Sequence, residues 1–264
     1  MQLIKKAVMA LEFKHVTKQF QSNSGEMLTA VKDVDFRVEK GEFVSVVGPS
    51  GCGKSTILSM TAGLYQPSTG EVSVSGERVD GPNPHVGFML QKDLLLPWRD
   101  IISNVEFGLE SRGLNRAARR AKAMEVLIAC HLGGFEQHYP YQLSGGMRQR
   151  AALARTLAID PEIILLDEPF SALDAQTKLL LQNSFSKVIA EQKKTTLLIT
   201  HDLAEAVLMS DRILVLSERP GTVIAEIKVE LPHRDEPLKR RNLPEVSEYA
   251  AQLFSYLKLE EKAF

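Results

Sequence analysis

Cysteine is scarce in this chain: Cys52 and Cys130 are the only two among 264 residues. A secreted scaffold held by disulfides needs a dense set of cysteines, so that class does not fit and a reducing compartment is expected. Charge of one sign is also missing. Lys plus Arg number 32 against 33 for Asp plus Glu, a formal net charge of -1, which argues against both the basic field of a polyanion binder and a disordered acidic tail. Although 44% of the residues are hydrophobic, no run approaches the roughly 18 to 20 apolar residues a spanning helix needs. Lys5 and Lys6 precede an apolar stretch from Ala7 to Leu11, but Glu12 ends it too early for a signal-peptide core. Internal repeats and low-complexity segments are absent as well. If the protein works at a membrane, something else must hold it there. The length suits one large α/β domain, or a main domain with a smaller insert.

From Leu11 to Val38 the chain alternates like half-exposed antiparallel strands, with Val34, Phe36 and Val38 set between Asp33, Asp35 and Arg37. Phe43 to Val47 is a short β-branched run that reads as a strand buried on both faces. A helix over Ile57 to Ala62 follows, closed by Gly63 and kept closed by Pro67. Between Gln91 and Gly145 the alternation stops. There Asn115 opens a helix with Ala117, Ala121, Met124 and Ile128 on one face, and Gly133-Gly134 end it. After Pro161 come a strand (Ile163 to Leu166), a helix through Leu179, Leu180, Phe185, Val188 and Ile189, and a strand (Thr196 to Thr200). That order predicts a parallel crossover. Ile213 to Leu216 and Val223 to Val229 predict a hairpin about Pro220-Gly221. A terminal helix carries Val246, Tyr249, Ala250, Leu253, Phe254 and Leu257 at helical spacing.

Two segments carry phosphate chemistry. Gly48-Pro49-Ser50-Gly51-Cys52-Gly53-Lys54-Ser55-Thr56 fits G-x-x-x-x-G-K-[ST] and lies between a buried strand and a helix start. Its backbone N–H groups can turn toward phosphate oxygens at the positive end of the helix, Lys54 can reach the β- and γ-phosphates, and Ser55 can give an oxygen to Mg²⁺. Downstream, Ile163-Ile164-Leu165-Leu166-Asp167-Glu168 is an apolar strand ending in two carboxylates. Asp167 is expected to bind Mg²⁺ directly or through water, and Glu168 to polarise the water that attacks the γ-phosphorus. Cys52, near a helix N-terminus, admits two readings: a thiolate whose modification blocks turnover, or an inert filler.

Leu143-Ser144-Gly145-Gly146-Met147-Arg148-Gln149 follows the helical stretch and opens another helix, where Ser144 can cap N–H groups bared by Gly145 and Gly146 to make a second anion site. This segment resembles the LSGGQ signature of ATP-binding cassette (ABC) ATPases, with Met147 in place of the more frequent Gln. The order of the other motifs is similar too: phosphate loop, Gln91, signature, Asp167-Glu168, Ser171-Ala172-Leu173-Asp174 and His201. The resemblance spans roughly Leu11 to Val229. It implies an α/β fold: a P-loop NTPase core with a mixed parallel sheet, an N-terminal antiparallel β-subdomain and an inserted α-helical subdomain. The expected division is a catalytic core with its β-subdomain over 1–90 and 160–231, a helical signature subdomain over 91–159 and a helical tail over 232–264, within one domain.

The same resemblance implies the roles of single residues. Glu168 is the expected base. Gln91 touches Mg²⁺ and the attacking water, His201 contacts the γ-phosphate and orients that water, and Asp174 communicates across a dimer, although its own chemistry also fits a helix cap. Phe20 matches the aromatic that stacks on adenine; a strand-end Phe also fits simple core. Two cassettes pair head to tail, so that each Ser144 to Gly146 closes over ATP held by the other chain. Arg112, Arg116, Arg119, Arg120 and Lys122 read as the solvated face of a helix rather than a nucleic-acid contact.

One cassette, a short insert and no membrane span resemble importer ATPases encoded apart from their permease. Chromosome and DNA-repair relatives place coiled coil or zinc modules between phosphate loop and signature, for which there is no room. Translation-associated relatives carry two cassettes, and intact Lys54, Asp167, Glu168 and His201 disfavour a dead regulatory cassette. The stretch Leu90 to Arg99 with Asn104-Val105 is similar to ATPases of the nitrate, sulfonate and taurine group, which includes relatives handling thiamine-pyrimidine precursors. The resemblance thus implies a peripheral protein at the cytoplasmic face of the cell membrane, acting with a permease and indirectly with an extracytoplasmic solute-binding protein. Leu96 and Trp98 would then form an exposed patch receiving a permease helix; Trp98 packed within the helical subdomain is the other reading.

Overall fold

A computed structural model describes residues 9–22 and 25–257; the charged and apolar stretch at 1–8 and the end of the tail at 258–264 lie outside the described residues. Two sheets organise the chain. β1 (Met9–Gln21), β2 (Met27–Glu39), β4 (Thr69–Val74) and the short β5 (Glu77–Arg78) form an antiparallel sheet in the order β2-β1-β4-β5. β3 (Phe43–Val47), β6 (Val86–Met89), β7 (Ile163–Asp167), β8 (Thr195–Ile199), β9 (Arg212–Leu216) and β10 (Val223–Lys228) form the second, in the order β10-β9-β3-β8-β7-β6. Its strands run parallel except for edge strand β10, which pairs antiparallel with β9 as the expected hairpin.

The central strands are buried at every position and mostly apolar, Ser45, Thr195, Thr196 and Asp167 being the polar exceptions, because both faces are covered. Successive side chains point to opposite faces, so Phe43 and Val47 of β3 enter one core while Val44 and Val46 enter the other. Ile164 and Leu166 of β7 divide from Ile163 and Leu165 in the same way. One core lies under the antiparallel sheet and α1 (Lys54–Thr61). The other lies under the remaining helices, among them α2 (Ile101–Glu106), α3 (Arg116–Ala129) and α4 (Gly145–Ala158), all between β6 and β7, and α5 (Ala175–Glu191), the crossover from β7 to β8. α6 (Leu203–Met209) follows β8, and the short α7 (Pro237–Arg240) and α8 (Glu245–Tyr256) fold back, α8 setting Val246 and Leu253 into this core. Among the described residues no helix is long and apolar enough to cross a membrane.

Helix starts follow the capping chemistry of the sequence. Asn115, Ser144 and Asp174 each accept a hydrogen bond from the third residue of the helix they open, at 2.9, 3.3 and 2.9 Å. Several expectations need correction. The fully buried residues of α3 are Ala123, Val126 and Leu127; of the expected stripe only Met124 packs partly against the core, while Ala117, Ala121 and Ile128 are exposed, Ile128 at 59%. α3 also ends before Gly133-Gly134, where His131 takes a left-handed φ of 55°. On α5 the core residues are Leu181, Phe185 and Ile189, while Leu180 faces outward. Arg112, expected on the polar face of α3, lies before that helix and donates to the Pro84 carbonyl at 2.7 Å.

Arg240 fastens the tail. It is 1% exposed and donates to the carbonyls of Leu208, Ser210 and Leu231 at 3.3, 3.0 and 3.1 Å. Burial pushes its guanidinium down to about 10, and the carbonyls at the end of α6 offer the negative pole of a helix in place of a carboxylate partner.

Candidate functional site

β3 and β7 both end at one cavity of about 300 Å³. Ser50, Gly51 and Gly53 line it from the loop after β3, Lys54, Ser55 and Thr56 from the first turn of α1, Asp167 and Glu168 from the end of β7, and Gln91 from the loop after β6. A parallel sheet collects these residues because side chains at the carboxyl ends of its strands share one edge.

Gly53 precedes α1 at φ 107°, where an added Cβ would stand 2.5 Å from Val31 Cγ1. Only glycine fits such a position. Lys54 is nearly buried, and its Nζ donates to the carbonyls of Gly48 and Pro49 at 2.7 and 2.8 Å. Gly48, Pro49 and Cys52 do not themselves line the cavity. The Cys52 side chain lies in the core beneath the loop, 1% exposed. Burial pushes its thiol up despite the nearby Lys54. The thiolate reading of Cys52 is therefore corrected: desolvation outweighs the helix end.

Asp167 is 5% exposed; burial raises its carboxyl above the usual range, and a hydrogen bond from Ser55 opposes that shift. Glu168 adopts φ 50°, an uncommon left-handed conformation for this residue. Its N–H donates to the Ile199 carbonyl at 2.9 Å. Its Oε2 accepts from Gln91 Nε2 at 3.1 Å and lies 3.3 Å from His201 Nδ1. Three residues far apart in sequence thus meet at one carboxylate.

Other predicted residues lie elsewhere. Phe20 is half-buried near the end of β1, edge-on to Tyr65 with ring centres 5.3 Å apart, and lines no part of the cavity. Asp174 caps α5, and hydrogen bonds from backbone N–H groups, led by that of Thr177, hold its carboxyl below the usual range. Ser144 and Gly145 are exposed, and the Ser144 to Gly146 segment stands apart from the cavity in the same chain. Trp98 is 72% exposed, so it is not packed within the helical stretch.

Some members of the site escaped the sequence reading. Arg219, at the β9–β10 turn, lines the cavity and donates from Nε to the Gly51 carbonyl at 3.1 Å. Tyr65, beside Phe20 and outside the cavity, had no motif to mark it. Gln149, within the signature segment, is buried; its Nε2 donates to the Glu168 carbonyl and its Oε1 accepts from Ala172 N at 3.0 Å. It couples the start of α4 to the turn that carries Glu168.

The donor set suits a hard cation. Ser55, Asp167 and Gln91 offer hydroxyl, carboxylate and amide oxygens, and a desolvated carboxylate such as Asp167 is one a cation would hold ionised. Among the described residues no group of three or more His, Cys, Asp or Glu side chains is placed to hold a metal alone. A cation at this cavity would therefore draw its remaining ligands from phosphate or water, the habit of Mg²⁺ in nucleotide sites.

A profile described as ABC transporter matches residues 31–171. The chain is 44% identical to an uncharacterized ABC transporter ATP-binding protein of Methanocaldococcus jannaschii over 95% of this chain and 92% of that one. It is 45% identical to the taurine import ATP-binding protein TauB of Yersinia pestis over 78% of this chain and 80% of the relative. It is also 40% identical to the nitrate import ATP-binding protein NrtD of Synechocystis over 96% and 97%. Among solved structures, a dimeric ATP-binding cassette in a post-hydrolysis state bound to ADP and Pi superimposes with a TM-score of 0.76. It is 35% identical, with 83% of this chain and 99% of that chain covered.

Proposed function

Because this chain belongs to the ABC transporter family as an ATP-binding protein and is an ATPase coupled to transport, we propose that it energises a solute importer by hydrolysing ATP between two paired cassettes. The observation that carries this reading is the meeting of Gln91 and His201 at Glu168, which with Gln91 lines the phosphate-loop cavity.

Each residue has a task there. The loop N–H groups and the start of α1 hold the phosphates. Lys54, resting on two carbonyls, turns to the β- and γ-phosphates, whose full negative charge attracts an ammonium more strongly than neutral oxygens do. Glu168 accepts a proton from the attacking water, held in aim by Gln91 and His201. Ser55, Asp167 and Gln91 would hold Mg²⁺, which when bound supplies charge neutralisation to the phosphoryl oxygens. Phe20, with Tyr65 beside it, stacks on adenine.

A second cassette completes the pocket. Ser144 to Gly146, standing apart from the cavity of its own chain, closes over ATP on the neighbouring copy, and Asp174 lies along that junction. Preferential affinity of ATP for the closed pair drives the cycle. Exposed Trp98, with Leu96 half-buried beside it, receives a helix of the separate permease, which sets the chain peripherally at the cytoplasmic face of the cell membrane. Similarity to taurine and nitrate import proteins favours a small solute of the nitrate, sulfonate and taurine type, with thiamine-pyrimidine precursors as the related alternative. An extracytoplasmic binding protein delivers it.

The test uses Glu168→Gln in the full chain, alone and in vesicles with its permease. ATP binding is retained, turnover stops and a closed dimer accumulates by size-exclusion and crosslinking. Hydrolysis at the parental rate removes Glu168 as the base, and a strictly monomeric, ATP-saturated variant removes the shared pocket. In the parental complex, ATPase stimulation by taurine, nitrate or a thiamine-pyrimidine precursor identifies the cargo class.

A further inference from the structure

His201 is two-thirds exposed and meets Glu168 through its Nδ1 alone. The residues on either side of it are fixed far more firmly. The Thr200 hydroxyl donates to Glu205 Oε2 and accepts from Asp202 N at 3.0 Å. Asp202 accepts from Glu205 N at 3.0 Å and from Lys178 Nζ at 2.8 Å. Glu205 Oε1 accepts from Gln182 Nε2 at 2.7 Å and stands 3.5 Å from Lys178 Nζ. Thr200, Gln182 and Glu205 are 2%, 1% and 3% exposed.

Helix capping does not account for this cluster, since Asp202 already caps α6 by itself. Core stability is a weak reason as well: burying a carboxylate is costly, and an apolar replacement of equal size is commonly neutral or stabilising. What distinguishes the cluster is its place. A cavity of about 90 Å³ joins it to Glu168 and His201. Lys178 and Gln182 share a face of α5 one turn apart and grip the chain on both sides of His201, Lys178 at Asp202 and Gln182 through Glu205 at Thr200.

We propose that Lys178, Gln182 and Glu205 are positioning residues for ATP hydrolysis: they clamp Thr200 and Asp202 so that the imidazole between them stays against the Glu168 carboxylate. The clamp rests on the reading of His201 as the group that orients the attacking water, and a double-mutant cycle separates the two ideas.

The experiment measures steady-state ATPase of the full chain for Lys178→Met, Glu205→Gln and His201→Ala, singly and paired with His201→Ala, and for Lys178→Arg. Lys178→Met and Glu205→Gln are expected to lower kcat on the order of 10- to 100-fold, the cost of a misplaced catalytic group. KM for ATP stays within about twofold, because the phosphate loop and Lys54, which hold most of the triphosphate, are untouched. In the His201→Ala background most of that loss disappears, and Lys178→Arg recovers most of the rate. The proposal is overturned if both variants turn over at the parental rate, or if their losses persist in full without His201. Should His201→Ala itself hydrolyse at the parental rate, the reading of His201 falls and the clamp falls with it. If Glu205→Gln does not fold, Lys178→Met decides, because its side chain is 20% exposed and its loss leaves the core filled.

Discussion

Replacing Gly53 with alanine places two penalties on one atom. Its φ of 107° is a conformation that costs a side-chain-bearing residue about 1–3 kcal/mol. The new Cβ would also stand 2.5 Å from Val31 Cγ1 and 2.8 Å from the Ala30 carbonyl oxygen. Neither neighbour is the loose end of a long side chain, and overpacking of this kind costs about 1–3 kcal/mol more. The combined loss is about 2–6 kcal/mol, a fall of roughly 5 to 20 °C in Tm for a chain of this size. Gly51→Ala is the control. Gly51 has φ 76°, but nothing lies within 4 Å of its added Cβ, so its variant carries the torsional cost alone. Calorimetric melts of both variants, with and without ATP, read the difference, and the rise in Tm produced by ATP should shrink most for Gly53→Ala. Equal losses for the two would refute the steric part of the argument. A Gly53→Ala protein melting within about 2 °C of the parent would refute all of it.

Arg240→Met leaves the carbonyls of Ser210 and Leu231 buried without their donor. Stability should drop by about 2–6 kcal/mol in urea unfolding; a midpoint equal to the parent's would show that water serves those carbonyls as well. Neither thiol should react with a maleimide at pH 7 in the native protein, because burial raises Cys52 and pushes Cys130 up to about 12. Mass spectrometry should find both labelled in denaturant, and rapid native labelling of Cys52 would contradict its placement. Trp98→Glu should leave the ATPase of the isolated chain near the parental rate and abolish copurification with the permease, since the exposed ring lies outside the phosphate cavity. Retention of the complex would move the docking surface elsewhere.

The strands and the phosphate loop were legible because their signals are local. Ile163 to Leu166 is apolar at every position and Phe43 to Val47 at all but Ser45, a pattern that two-sided burial explains. Helix starts were legible at Asn115, Ser144 and Asp174 because a short polar side chain there has one evident use. The inward face of α3 was not. Alanines are small enough for either face, and the choice fell to Val126 and Leu127, whose partners come from α2 and α4. Arg219 was invisible for a related reason: it reaches the phosphate loop from 168 residues away, through a turn with no motif. The choice between the two readings of Cys52 was not legible because local sequence reports a helix end but not the depth of the side chain beneath it.

That Ser144 and Lys54 serve separate surfaces of one chain has a genetic consequence under the head-to-tail pairing. In a mixed dimer of one polypeptide defective at Lys54 and another defective at Ser144, both lesions fall in the same compartment and its twin is left whole. Two dead alleles expressed together should therefore restore a measure of growth on the transported nutrient that neither supports by itself.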